Sequence, residues 1–146
     1  MSSAFLQIQN GIATALLAAP ALAGGNLQLN TLRPIAEDVA TALVVRLGNT
    51  AGNEETLGTN YWLTNYTVEC YARVATGVDP ASGADALLLA VWDRIAALDP
   101  SSVGASEITL SPQIDWQYDE SATPMVCAVV RLSVAHRTAY NSLLAS

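Results

Sequence analysis

The sequence predicts an α+β fold: a single domain with a largely antiparallel or mixed β-sheet and two amphipathic helices packed on one face. Three observations carry this. Segments 3–19 and 83–98 repeat apolar residues at three- and four-residue spacing, the period of a helix with one buried side. Segments near 39–48, 61–75, 106–118 and 125–137 alternate apolar and polar residues, as a half-buried strand does. The order is helix, two strands, helix, two strands, with no internal repeat at a solenoid period.

The first helix aligns Phe5, Ile8, Ile12, Leu16 and Ala19, with Gln7, Asn10 and Thr14 elsewhere, and stops at Pro20 and Gly24-Gly25. Residues 26–34 read as a short extended segment ending at Arg33-Pro34. The first long strand places Val39, Thr41, Leu43, Val45 and Leu47 on one face. Residues 48–60, "GNTAGNEETLGTN", are rich in glycine and asparagine and contain one large apolar residue, Leu57, which predicts a long mobile loop. In the next strand Trp62, Tyr66, Val68, Cys70, Ala72 and Val74 lie mostly on one side, with Asn65, Thr67, Glu69, Tyr71 and Arg73 opposite.

A turn over 77–83 leads into the second helix, with Asp79-Pro80 or the Ser82/Asp85 capping pattern as alternative starts. Its apolar set is Leu87, Leu88, Val91, Trp92, Ile95 and Leu98, while Asp85, Asp93 and Arg94 point away, and Asp99-Pro100 ends it. Ile108, Leu110, Ile114, Trp116 and Tyr118 then share one strand face. Pro112 cannot donate to a ladder, so this strand belongs at an edge or carries a bulge. Residues 119–124 turn the chain into its hairpin partner, where Val126, Ala128, Val130, Leu132 and Val134 share a face.

Composition excludes several function classes. Hydrophobic residues are 51% and charged residues 13%, enough apolar surface for a full core and too little charge for a disordered chain. The net charge is -7, and all six basic residues are arginines, which argues against nucleic-acid binding. With no lysine, Schiff-base chemistry and a P-loop are excluded. No basic residue precedes Arg33, and Gln7, Gln9 and Asn10 interrupt the apolar run, so the first segment reads as neither a signal peptide nor a membrane span. The chain therefore reads as cytoplasmic, and the sequon Asn65-Tyr66-Thr67 as idle.

No constellation of catalytic or metal-ligating residues emerges. Cys70 and Cys127 form no CxxC and read as buried small residues on neighbouring strands. His136, the sole histidine, has Ser133, Thr138 and Ser142 nearby in sequence but no nucleophile motif around it. A histidine at a strand end beside Arg137 reads as exposed and polar. Glu54-Glu55 and Asp119-Glu120 lack calcium-loop spacing and read as solvated loop charge. Trp62, Trp92 and Trp116 occupy apolar registers and read as core. No enzyme activity, cofactor or metal is expected.

Three stretches in order, "YTVECYARVA" (66–75), "ADALLLAVWDRIAALD" (84–99) and "VVRLSVAHRTAYNSL" (129–143), resemble the tail terminator, or tail completion, proteins of long-tailed bacteriophages. The resemblance covers about residues 60–140. It rests on an amphipathic helix ending near Leu98-Asp99 and a last strand ending in His136-Arg137-Thr138. It implies a structural virion protein in one tail-terminator-like domain over 1–146. Six copies would form a ring at the head-proximal end of the tail tube, stop tube polymerisation and offer a head-tail joining surface. The implied partners are other copies of the chain, the tail tube protein and a head connector or neck protein. DNA passes through such a ring without stable binding, and no membrane is involved. Candidate subunit or tube contacts are Arg46, Glu54, Glu55, Leu57, Glu69, Arg73, Arg131 and Arg137. At least some of Arg46, Arg73, Arg131 and Arg137 would pair with a neighbour's carboxylates, and Glu69 is a candidate to line an acidic lumen that repels phosphate. The alternatives are a neck or head-completion protein of the same region and, in a different class, a small ligand-binding domain or enzyme.

Overall fold

In a computed structural model of the chain, a five-stranded mixed sheet carries both helices on one face. The described residues are 2–31, 35, 39–56, 58–73, 79–119 and 124–144, with backbone only at 55, 56 and 80. The elements are α1 (Ala4–Leu17), β1 (Leu27–Leu29), β2 (Thr41–Thr56), β3 (Thr59–Arg73), α2 (Pro80–Ala97), β4 (Glu107–Asp119) and β5 (Met125–Ala139). Short 3-10 turns at Leu22–Gly25 and Pro100–Val103 follow the two helices. The sheet order is β1-β2-β3-β5-β4, parallel only between β1 and β2.

Register explains the core. Val45, Val68, Val130 and Ile114 form one row across four strands, and Leu47, Tyr66, Leu132 and Leu110 form another. Because strand side chains alternate, both rows point to one face, where Ile8, Ile12 and Leu16 of α1 and Leu87, Leu88, Val91 and Ile95 of α2 cover them. Gln9, which interrupts the apolar run of α1, is buried yet satisfied. Its amide exchanges hydrogen bonds of 2.9 and 2.8 Å with Asn30 and donates to the Val45 carbonyl at 3.1 Å. The Asn30 Oδ1 also accepts from the Leu47 N–H at 2.8 Å, so one asparagine ties α1 to β2.

Apart from β2, each long element lies within a few residues of its expected position. α2 begins at Pro80, because Pro80 suits the first helical turn and the Asp79 carboxylate accepts from the Ala81 N–H at 2.9 Å. The edge position and the bulge expected from Pro112 both occur: β4 is the last strand, and its register with β5 shifts between Leu110 and Ile114. The expected turns over 77–83 and 119–124 lie partly, and Leu57 wholly, outside the described residues.

Three expectations are corrected. Residues 48–60 are no long loop: β2 runs on to Thr56, β3 starts at Thr59, and their hairpin is paired to its tip. β5 pairs with β3 out to Thr59↔Ala139, so the hairpin is part of a three-stranded arm with β3 at its centre. Cross-strand partners supply what local composition lacks. Gly48 lies where the β2–β3 register slips, and a Cβ at Gly52 would sit 2.5 Å from the Trp62 ring, so these glycines seat neighbouring groups. Second, Trp116 and Tyr118 are 38% and 64% exposed, because α2 lies over β3 and β5 and leaves the β4 edge bare. Third, Arg94 does not point away. It donates to the Ala15, Leu16 and Ala18 carbonyls at 3.1, 3.1 and 2.7 Å, and also to Pro20, closing the C-terminus of α1.

Candidate functional site

The sheet face away from the helices carries a first group of the residues singled out in the sequence. Arg46 on β2, Glu69 and Arg73 on β3 and Arg131 on β5 all project there, opposite the apolar rows. The charges of Arg46, Glu69 and Arg131 are paired within the chain. Arg46 Nε donates to Glu69 Oε2 at 3.1 Å, and the Tyr71 hydroxyl donates to the other Glu69 oxygen at 2.8 Å. Arg131 makes a two-pronged pair with Asp115 of β4, its Nε lying 3.0 Å from Oδ2. The Asp115 carboxyl is held below the usual range by these hydrogen bonds and one from Gln113.

Two of these arginines also fasten the segment that leads from β1 back to β2. Arg46 Nη1 donates to the Thr31 carbonyl at 2.6 Å, and Arg73 Nη2 to the Ile35 carbonyl at 2.8 Å. Ile35 packs with Ala42, Val44, Val39 and Tyr71 in a small second core on this face. Arg46 and Arg131, two of the four arginines from which pairing with a neighbouring subunit is expected, each already have a carboxylate within the chain. Glu69, the candidate for an acidic lumen, is paired with Arg46 and largely covered.

The remaining candidates lie on the arm. Glu54 is exposed opposite Asn60, and the backbone of Glu55 continues β2. Arg137, also exposed, sits with its guanidinium carbon 5.4 Å from the centre of the Tyr61 ring. Arg137 lies six residues beyond Arg131 along β5, roughly 20 Å of strand, so the candidates form two separate groups.

His136 is fully buried, contrary to the exposed reading. It shares the helix-covered face with its cross-strand partner Trp62, and Phe5 of α1 meets both rings edge-on, at 5.0 Å for His136 and 5.4 Å for Trp62. Thr138, buried too, accepts from the indole N–H of Trp62 at 2.9 Å. Neither His136 ring nitrogen has a hydrogen-bond partner among the described residues, and burial lowers its pKa. Among the described residues no nucleophile or orienting carboxylate is bonded to it, and the ring packs edge-on against Phe5.

The other chemistry-bearing side chains are equally quiet. Cys70 and Cys127 are free, buried and on neighbouring strands, with thiols pushed up to about 12 by burial. Among the described residues no three His, Cys, Asp or Glu side chains gather as metal ligands. A shallow cleft of about 360 Å³ on the polar face is lined by Asn49, Asn65, Thr67, Ser111, Arg131 and Ser133. Its charged member is held by Asp115, and no base or nucleophile pair faces it. No helix among the described residues is long and apolar enough to cross a membrane.

One surface feature went unread in the sequence. Leu88, Leu89, Trp92 and Ile114 line an apolar groove of about 270 Å³ between α2 and the β4 edge, with Leu89 58% exposed. The run Leu87-Leu88-Leu89 was the available signal, since three consecutive leucines span more helix than one buried stripe holds.

No protein-family model matches the chain, and no curated protein matches it in sequence. Among solved structures, a chain from the virion of a native gene transfer agent particle superposes with a TM-score of 0.55 over 87% of this chain and 92% of that one. The two are 19% identical, so the likeness is one of fold.

Proposed function

We propose that the chain is a structural protein of a phage-type virion, and more finely a tail terminator. It would form a ring, six-membered by the family resemblance, at the head-proximal end of the tail tube. The observation that carries the reading is the fold shared with a chain of the gene transfer agent virion over nearly the whole of both chains. The order of the three stretches at 66–75, 84–99 and 129–143 supports the terminator role in particular.

Surface chemistry agrees with this role. A buried histidine without hydrogen-bond partners among the described residues, two buried thiols and a cleft whose described lining holds no acid-base pair favour assembly over catalysis. A net charge of -7 without lysine suits a ring through which DNA passes without adhering. Ring formation needs two different patches per protomer and a rotation that closes. In this reading the arm, with Glu54, Glu55 and Arg137, makes the contact with tube or neighbour; Leu57, also a candidate, lies outside the described residues. Arg46, Arg73, Glu69 and Arg131 chiefly hold the protomer together.

The test is assembly on purified tail tubes, imaged by negative stain. Rings at one tube end, arrested tube growth and sedimentation of a closed oligomer are expected. Tubes of unchanged length, with only monomer across salt and magnesium concentrations, overturn the reading. Binding to connector rings but not to tubes moves the protein to the neck.

A further inference from the structure

The open edge of β4 and the groove beside it form a surface for which the chain itself has no matching counterpart among its described residues. Leu88, Leu89, Trp92 and Ile114 make the groove floor and wall, and almost all of its lining is apolar. Trp116 and Tyr118 continue the same strand face, 38% and 64% exposed. On α2, Asp85, Leu89 and Asp93 follow one another at four-residue spacing, so two exposed carboxylates bracket the exposed leucine along one helix stripe. On the outer side of β4, from Ile114 to Asp119, the backbone groups that do not face β5 have no strand partner among the described residues.

A second copy is a poor occupant, because the acidic rim requires cations. The sequence contains no lysine. Of the five described arginines, Arg46 is engaged with Glu69, Arg73 with the Ile35 carbonyl, Arg94 with α1 and Arg131 with Asp115, while Arg137, exposed over Tyr61, belongs to the arm. From this mismatch we propose that the groove and the β4 edge seat an extended, basic segment of a different protein. That segment adds a strand to β4, sinks an apolar side chain between Leu89 and Ile114, and sets arginine or lysine against Asp85 and Asp93. The inference stands apart from the terminator reading, since it depends only on groove, edge and charge.

The test uses the full chain and a defined probe, a capped ten-residue peptide alternating valine or tryptophan with arginine. The control is the same peptide with glutamate for each arginine. Isothermal titration should show the basic peptide binding at least about tenfold more tightly than the acidic one, weakening with salt as exposed ion pairs do. Leu89→Asp should abolish binding, and Asp85→Asn with Asp93→Asn should weaken it by about tenfold while circular dichroism stays unchanged. Amide chemical shifts should move along 114–119. Failure of the basic peptide to bind, equal binding of both peptides, or binding insensitive to Leu89→Asp overturns the proposal. A dimer of the protein alone that Leu89→Asp dissociates gives the groove to a second copy and also overturns it. Loss of tube capping with intact peptide binding would count against the terminator role and leave this inference standing.

Discussion

Phe5 of the first helix meets His136 of the last strand edge-on, with ring centroids 5.0 Å apart and planes 80° to each other, and so the ends of the chain close over one aromatic cluster. The Tyr66 hydroxyl donates to the Phe5 carbonyl at 2.7 Å, and the Ala4 N–H donates to the Leu143 carbonyl at 2.8 Å, fastening the same corner. Acid should weaken this corner through His136. Its pKa in the folded chain lies below the ordinary 6.5, so the unfolded chain binds the proton first as pH falls. Stability is full above about pH 6.5 and declines below it. Chemical denaturation from pH 8 to pH 5 should show the decline, and His136→Phe should flatten that part of the profile. An unchanged slope in His136→Phe would reject the assignment.

Gly52 should tolerate no side chain. A Cβ there would lie 2.5 Å from the Trp62 ring, so Gly52→Ala must tilt the indole and strain its hydrogen bond to Thr138. A loss of about 1–3 kcal/mol is expected from such overpacking. Tryptophan fluorescence and thermal melting would check it; an unchanged melt would mean that the arm yields freely.

Arg94→Met keeps the aliphatic stem but removes the donors to the last carbonyls of α1. Charge-assisted caps of this kind contribute about 1–2 kcal/mol after allowance for partial exposure. Hydrogen exchange should rise in the last turn of α1 more than in α2. Uniform exchange changes would show that the contact has no local capping role.

Replacing residues 49–59 with a short Gly-Ser turn should damage the fold itself. The change deletes the outer half of β2 and leaves that stretch of β3 paired on one side only. The loss of several ladder hydrogen bonds should destabilise the chain by about 2 kcal/mol or more. A variant that melts like the parent would return the segment to the status of a dispensable loop.

Periodicity within the sequence determined much of this protein: the α+β class, both helices, most of the helix-covered face of β2, β3 and β5, the β4–β5 hairpin and the edge position signalled by Pro112. These are local properties, since the faces of a helix or strand follow from the spacing of apolar residues along it. Partners far apart in the chain were decided by tertiary structure. Thirteen-residue "GNTAGNEETLGTN" carries the composition of a loop and becomes mostly strand because β3 and β5 supply its hydrogen bonds and Trp62 covers Gly52. His136 and Arg94 look alike in sequence to any polar residue at an element's edge. One is buried beneath Phe5, from the opposite end of the chain, and the other closes a helix more than seventy residues away. The groove beside Leu89 exists because α2 lies over β3 and β5 and stops short of β4, a crossing set by packing between elements and carried by no single segment's pattern.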